Sequence, residues 1–139
     1  MKETMDSIRL QVLTVDAVVY DGMIGYAELP LENGSVGILR NHAPMMGALS
    51  CGVIKAHHAG GVDYMAVSQG VVNVAHNEII LLARTAERAE DIDMARAVAA
   101  EKRARGYLED KDGGWNQDRA QAALYRSLAR QSAARLAGR

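Results

Sequence analysis

The sequence predicts an N-terminal antiparallel β-sandwich followed by an antiparallel hairpin of two helices. Up to position 83, short apolar runs are separated by turn residues about every eight to twelve residues, which is typical of an all-β sandwich or barrel. After position 83 the chain becomes rich in Ala, Arg, Glu and Gln, which favour helices. We therefore expect a β-domain of about ten short strands over residues 1–85 and a helical hairpin over residues 86–139.

The strands are assigned from alternating polarity and from turn signals. Ile8, Leu10 and Val12 alternate with polar residues, which is the period of a half-buried strand. The pair Asn33 and Gly34 tolerates the positive φ of a tight turn, so the segments on either side are expected to form a hairpin. Further strands are expected over residues 18–20, 23–31, 36–39, 48–49, 53–56, 62–68, 71–75 and 78–83.

The strand over residues 78–83 is apolar on both of its faces. One face fills the core of the sandwich, whereas the other, which carries Ile80 and Leu82, needs a second cover. Two covers are compatible with the sequence: the C-terminal helices or a partner subunit.

The helices are expected over about residues 91–109 and 116–137. Asp91 is a suitable N-cap for the first helix, while Asn116 and Asp118 are alternative caps for the second. Large apolar residues are scarce on both helices, and most apolar positions of the second helix are alanine, which buries little area. The expected contact strip of the first helix consists of Ile92, Ala95, Ala99 and Gly106.

High helix propensity with modest packing suits helices that undock and stay helical, as in a switch, although a plain exposed hairpin is the alternative. Arg119, Arg126 and Arg130 fall within ~40° of one another around the second helix. They lie roughly opposite Leu124 and Leu128. This stripe is either a solvated face or a positive ridge that meets an acidic partner or a phosphate.

The composition disfavours several classes of function. A net charge of −1 argues against a protein whose main ligand is nucleic acid. The single cysteine, Cys51, excludes an intrachain disulfide and fits a reducing compartment. No run approaches the ~20 apolar residues that span a bilayer, so membrane association is expected only through partners. The sequence shows no metal-ligand spacing, nucleophile elbow or phosphate loop, and we predict neither catalytic residues nor a metal site.

Several motifs identify the chain as similar to a known family. Pro30-Leu31 precedes a Gly34-to-Leu39 run and a His42-Ala43-Pro44 corner. Together with the runs over residues 67–74, 80–83 and 92–97, this series resembles the epsilon subunit of bacterial F-type ATP synthase over essentially the whole chain. The chain departs from the usual pattern in two turns, where Arg40 replaces a common proline and Gln69 replaces a common glycine.

This resemblance implies a non-catalytic rotor subunit of the central stalk, which couples the gamma subunit to the c-ring during proton-driven ATP synthesis. It implies that the hairpin is mobile, and that it inhibits ATP hydrolysis when it extends toward the alpha and beta subunits. The location would be peripheral, on the cytoplasmic face of the inner (plasma) membrane. The residues expected to contact partner subunits are Glu32, Asn33, Ser35, His42, Met45, Ile80, Leu82 and Arg119.

The resemblance also raises regulatory binding of ATP, although no cofactor is expected to be required. Some bacterial members carry the motif Ile/Leu-Asp-x-x-Arg-Ala at the start of the first helix. The residues that match this motif and its associated positions are Glu87, Ile92, Asp93, Arg96, Ala97, Arg126 and Arg130.

Two other classes of function are compatible with parts of the sequence. One is an autonomous binding module whose basic hairpin contacts RNA or an acidic protein, but the arginine stripe lacks stacking aromatic residues. Salt-insensitive co-purification with a gamma-like partner would dismiss the RNA module. The other is a small β-sandwich enzyme, which turnover of a substrate by the isolated chain would support.

Overall fold

The computed structural model describes residues 6–110 and 112–138. Within these ranges the chain forms ten strands, one 3-10 turn and two helices. The strands are β1 (Ile8–Leu13), β2 (Val18–Ile24), β3 (Tyr26–Leu31), β4 (Gly34–Leu39), β5 (Met45–Leu49), β6 (Gly52–His58), β7 (Gly61–Val67), β8 (Gly70–Ala75), β9 (Glu78–Ala83) and β10 (Ala86–Arg88). The 3-10 turn (Ala89–Asp91) leads into α1 (Met94–Glu109) and α2 (Gln117–Leu136).

The strands hydrogen-bond in the order β10-β7-β6-β3-β5-β8-β9-β1-β2, and β4 pairs with β3. The expected β3–β4 hairpin is present, but its turn lies one residue earlier, at Glu32 and Asn33, because Leu31 lies opposite Gly34. Of the pair Asn33 and Gly34, only Gly34 has a positive φ (121°), and it begins β4. One pairing departs from the expected antiparallel pattern, because β1 runs parallel to β9, with Leu10 opposite Ile79. A parallel pair needs a long connection, and here the connection contains seven intervening strands.

The core of the sandwich is mainly aliphatic, since the sequence contains no phenylalanine and Tyr20 is the one aromatic member among the described core residues. Alternate residues of the central strands point inward, and Leu10, Leu49, Ile54, Ile79 and Leu81 are completely buried. This alternation explains why the strand pattern was readable from the sequence.

Both helices begin at a side-chain cap. Asp93 accepts a hydrogen bond from the backbone N–H of Arg96 (3.1 Å), and Asn116 accepts one from Arg119 (3.1 Å). The expectation that Asp91 caps α1 was therefore wrong, because Asp91 lies in the 3-10 turn two residues earlier. For α2, the choice between Asn116 and Asp118 falls on Asn116.

The buried face of α1 differs from the expected strip. Ala97 and Ala104 are buried, whereas Ala95, Ala99 and Gly106 are exposed. The reason lies at Ile92, which has extended backbone angles and precedes the helix, so it does not set the helical phase.

Helix α2 is buried on two sides because it lies between α1 and strands β6 and β7. Of its large apolar residues Leu124 is buried, whereas Tyr125 and Leu136 are about half exposed. The buried positions of α2 are instead Ala120, Leu124, Ser127, Ala129, Gln131, Ala133 and Ala134. The contact with the sandwich forms a small second core made of Ala66, Ala89, Ile92, Ala129, Ala133 and Ala134.

Candidate functional site

A cleft separates the edge of the sandwich from α2, and three of the expected ligand residues line it. Glu87 lies on β10, which pairs antiparallel with β7 and places Glu87 opposite Ala66. Arg126 and Arg130 reach the same cavity of about 220 Å³ from α2. The Arg130 Nε donates to Glu87 Oε1 at 2.9 Å, and both side chains are partly exposed. The cleft therefore combines an acidic group with two cations between the sandwich and the hairpin.

The other four residues of the expected ATP motif occupy the start of α1. Ile92 and Ala97 are buried packing residues, Asp93 is the helix cap, and Arg96 is exposed. None of these four lines the cavities described here. In this arrangement they fix where α1 begins and how the hairpin joins the sandwich.

Arg126 has an unusual position because it lines three adjoining cavities. No carboxylate of the described residues forms an ion pair with its guanidinium group. Its positive charge acts on the thiol of Cys51, but burial outweighs this effect and raises the pKa of Cys51. Arg126 is thus a cation available to an anionic ligand, while Cys51 stays protonated near neutral pH.

Of the two interpretations considered for the arginine stripe, a fully solvated face is not what the structure shows. Arg119 is exposed, but Arg126 and Arg130 are half-buried beside the sandwich and α1. Sequence reasoning also missed Arg103, which lines the second cavity with Arg126 and Arg130. No sequence signal pointed to Arg103, because the facing sides of the two helices depend on where α1 starts.

A partly buried polar bridge joins the two helices. The amide Nε2 of Gln131 donates to Glu101 Oε1 at 2.8 Å, and Arg105 Nε donates to the other oxygen of Glu101 at 2.7 Å. The Gln131 oxygen accepts a hydrogen bond from Arg135 (3.1 Å). These bonds, first from Gln131 and then from Arg105, hold the pKa of Glu101 below its ordinary value.

The outer face of the sheet carries a row of uncovered aliphatic side chains. Leu82 is 43% exposed and pairs with Val71, which is 54% exposed. The cross-strand neighbours of this pair are Ala48 on β5 and Leu13 on β1. We call Ala48, Val71, Leu82 and Leu13, with the adjoining Ile80 and Met46, the outer apolar row.

The C-terminal helices do not cover the outer apolar row, since α2 packs on β6 and β7 instead. Of the two covers considered for Ile80 and Leu82, the C-terminal helices are therefore excluded in this arrangement. Met46, which is 80% exposed, was missed by the sequence analysis, whereas its neighbour Met45 packs against the core.

The remaining residues expected to contact partners lie at three places. Glu32, Asn33 and Ser35 are exposed at the β3–β4 turn. His42 is half-buried at the corner before β5, with its Nδ1 2.6 Å from the carbonyl oxygen of Ala43. Arg119 is exposed in the first turn of α2.

The described residues contain no group of three or more His, Cys, Asp or Glu side chains placed to hold a metal ion. Over the same residues, none of the helices has the length and apolar character needed to cross a membrane. An uncovered apolar sheet face and an appended hairpin define an accessory subunit that contacts other proteins.

Comparisons with known proteins identify the family. Residues 7–89 match the family model "ATP synthase, Delta/Epsilon chain, beta-sandwich domain", and residues 90–135 match the model of its "long alpha-helix domain". The "ATP synthase epsilon chain" of Symbiobacterium thermophilum is 39% identical over 131 residues, which is 94% of each chain. That of Syntrophomonas wolfei is 40% identical over 122 residues, which covers 87% of this chain and 89% of the relative.

A solved structure shows the same fold. A chain of the Euglena gracilis mitochondrial ATP synthase (OSCP/F1/c-ring) matches 92% of this chain and 81% of its own, with a TM-score of 0.79 at 20% identity. The chain therefore belongs to the ATP synthase delta/epsilon family. This confirms the family and fold class predicted from the sequence, together with the role of a non-catalytic rotor subunit.

Proposed function

We propose that this rotor subunit joins the gamma subunit to the c-ring and that its hairpin inhibits ATP hydrolysis by leaving the sandwich for the alpha and beta subunits. It acts in proton-driven ATP synthesis on the cytoplasmic face of the bacterial inner membrane. It reaches the membrane only through the complex and requires no cofactor. ATP is proposed as a regulatory ligand that holds the hairpin against the sandwich.

The outer apolar row is the observation that supports binding to gamma. Aliphatic side chains on neighbouring strands remain exposed, although most apolar side chains of the sandwich are buried. Contiguous apolar patches of this kind are typical of protein interfaces. The exposed polar turn with Glu32, Asn33 and Ser35 is the proposed contact with the c-ring.

The composition of the second core supports a mobile hairpin. Five of its six buried members are alanines and the sixth is Ile92, and a small side chain buries little apolar area. The ion pair between Glu87 and Arg130 is partly exposed, and such pairs contribute only about 0–1 kcal/mol. The docked state is therefore weakly held, which suits an equilibrium that partners and ligands shift.

The cleft supports the proposed role of ATP. Among the described residues, no carboxylate pairs with Arg126 and Arg130 pairs with Glu87 alone, so both guanidinium groups can contact phosphate. A ligand that binds only the docked hairpin stabilises it by RT ln(1 + [L]/Kd). ATP and the alpha–beta assembly would then compete for the same hairpin.

Binding to gamma is tested by replacing one residue of the outer apolar row. Leu82→Glu places a charge in the proposed contact, and we expect the affinity for purified gamma to fall at least tenfold. Leu39→Glu is the matched control, because Leu39 is an exposed leucine of the sandwich that lies outside the row. Equal binding of gamma by Leu82→Glu and the unmodified chain would overturn the assignment.

Binding of ATP is tested by calorimetric titration of the whole chain. Arg126→Ala and Arg130→Ala should each weaken binding at least tenfold, whereas Lys102→Ala, on the exposed side of α1, should leave it unchanged. Absence of heat up to several millimolar ATP would remove the nucleotide role and leave the binding of gamma standing.

A further inference from the structure

The cleft continues as a groove along the two helices to the hairpin turn. Arg126 lines the cleft and also two further cavities of about 210 and 320 Å³. The first of these lies between the helices beside Arg103 and Tyr107, and the second is lined by Tyr107, Trp115 and Arg119. The groove therefore begins at Glu87 and ends at an aromatic pair.

The aromatic pair is fixed in position but remains accessible. The rings of Tyr107 and Trp115 lie 4.5 Å apart at an angle of 42°, and their exposed fractions are 39% and 47%. Trp115 Nε1 donates to Asp110 Oδ2 at 3.2 Å, and Gln117 donates to the carbonyl oxygen of Tyr107 at 3.3 Å. The Trp115 ring is thus held by a hydrogen bond at its edge, while Gln117 holds the backbone of Tyr107, and a ring held in this way can offer a face to a flat ligand.

Unneutralised positive charge lies beside this pair. The guanidinium groups of Arg103, Arg119 and Arg126 form no ion pair with a carboxylate of the described residues. Glu101, the acidic residue of the neighbouring turn, is already occupied by Gln131 and Arg105. Free cations next to stacking aromatic faces match a phosphate chain that carries a base.

The two ends of the groove are too far apart for a single base to contact both of them. Arg119 and Arg130 are eleven residues apart on α2, which corresponds to ~16 Å along the helix axis. Glu87 is at one end, where a carboxylate can accept a hydrogen bond from a base amino group, and Trp115 is at the other.

We propose that the groove is a two-ended site for dinucleoside polyphosphates. One base lies in the cleft at Glu87, the phosphate chain lies along the arginines, and the second base stacks on Tyr107 and Trp115. This inference rests on the proposed binding of ATP in the cleft and adds a second base subsite to it. A dinucleotide bound in this way connects β10 to the hairpin turn and stabilises the docked hairpin more than ATP does.

The test compares diadenosine tetraphosphate with ATP on the whole chain, using calorimetry and the fluorescence of the only tryptophan, Trp115. We expect the dinucleotide to bind about tenfold more tightly than ATP and to quench Trp115, while ATP leaves the fluorescence unchanged. Trp115→Ala should lower the affinity for the dinucleotide to that for ATP, and Trp115→Phe should restore most of it.

Tyr125→Ala is the matched control, because Tyr125 is an exposed aromatic residue of α2 that lines none of these cavities. Equal affinities for the two nucleotides, or equal quenching by both, would overturn the two-ended site while leaving the binding of ATP intact. Failure of the binding of ATP itself would instead appear as loss of heat for both nucleotides.

Discussion

The sandwich and the hairpin are stabilised in different ways. In the sandwich, Ile, Leu and Val side chains from alternate positions of the strands are fully buried, and a hydrogen-bonded ladder connects strands that are distant in sequence. Among the described residues, the buried contact of the hairpin with the sandwich consists of alanines and Ile92, and one partly exposed ion pair accompanies it. The comparison supports the proposal that the hairpin can detach at low cost from a stable sandwich. Such a division allows one subunit to hold its place in a rotor while it changes its contacts.

The largest expected effect comes from a change in the core of the sandwich. Leu81→Ala removes a completely buried side chain from β9, and we expect the free energy of unfolding to fall by about 2–5 kcal/mol. Urea denaturation followed by circular dichroism measures this loss. Leu136→Ala is the control, because Leu136 is about half exposed at the end of α2. A similar loss in both variants would contradict the contrast between the two regions.

A change at the alanine contact should detach the hairpin and leave the sandwich folded. Ala133→Leu adds bulk at a completely buried position, where overpacking costs about 1–3 kcal/mol. Since Cys51 packs against this second core, undocking should accelerate labelling of its thiol about tenfold. Ala95→Leu, at an exposed position of α1, should label as slowly as the unmodified chain. Unchanged labelling of Ala133→Leu would show that the contact tolerates large residues.

A smaller effect is expected at the cap of α1. Asp93→Ala removes the acceptor for the N–H of Arg96 and should destabilise the start of the helix by about 1 kcal/mol. Hydrogen exchange of the first-turn amides of α1 measures this change. Asp93→Asn retains a capping oxygen and should exchange like the unmodified chain. Equal exchange of Asp93→Ala and the unmodified chain would exclude a capping role.

The smallest effect concerns pH. The pKa of Glu101 is lower in the folded hairpin than its ordinary value of 4.5. The stabilisation that the charged Glu101 carboxylate gives to the folded state is therefore complete well above pH 4.5. The contribution is lost as the pH falls through the depressed pKa, because the protonated acid binds Gln131 and Arg105 less strongly. Denaturation of Glu101→Gln should therefore depend less on pH between 6 and 3 than that of the unmodified chain. Glu109→Gln, at an exposed position, should retain the full dependence.

The sequence predicted the sandwich well because alternation reports burial directly. Ile79 and Leu81 point inward, and Ile80 and Leu82 point outward, as their positions in the strand require. Sequence reasoning reached only one neighbour of Leu82: Val71 lies opposite it in the hairpin expected over residues 71–83, whereas Leu13 meets it through the parallel pairing of β1 with β9. The outer apolar row therefore emerged from the structure.

The helices show the opposite case. Their existence and approximate bounds followed from composition, but their buried faces did not, because Ile92 seemed to belong to α1 and lies before it. Because the buried face of α1 could not be assigned from the sequence, the groove could not be predicted either. Arg103 and Tyr107 meet Arg126 only in this pairing of α1 with α2. Of the seven residues expected to bind ATP, the structure brings Glu87, Arg126 and Arg130 together.

The parallel pairing of β1 with β9 has a consequence for how the chain folds. Leu10 finds its partner Ile79 about 70 residues later, whereas the helices form from local contacts. During synthesis on a ribosome, β1 emerges long before β9, so the parallel pair cannot form until β9 has been made. Until then the apolar face of β1 can form non-native contacts. We therefore expect completion of the sandwich to be slower than formation of the two helices.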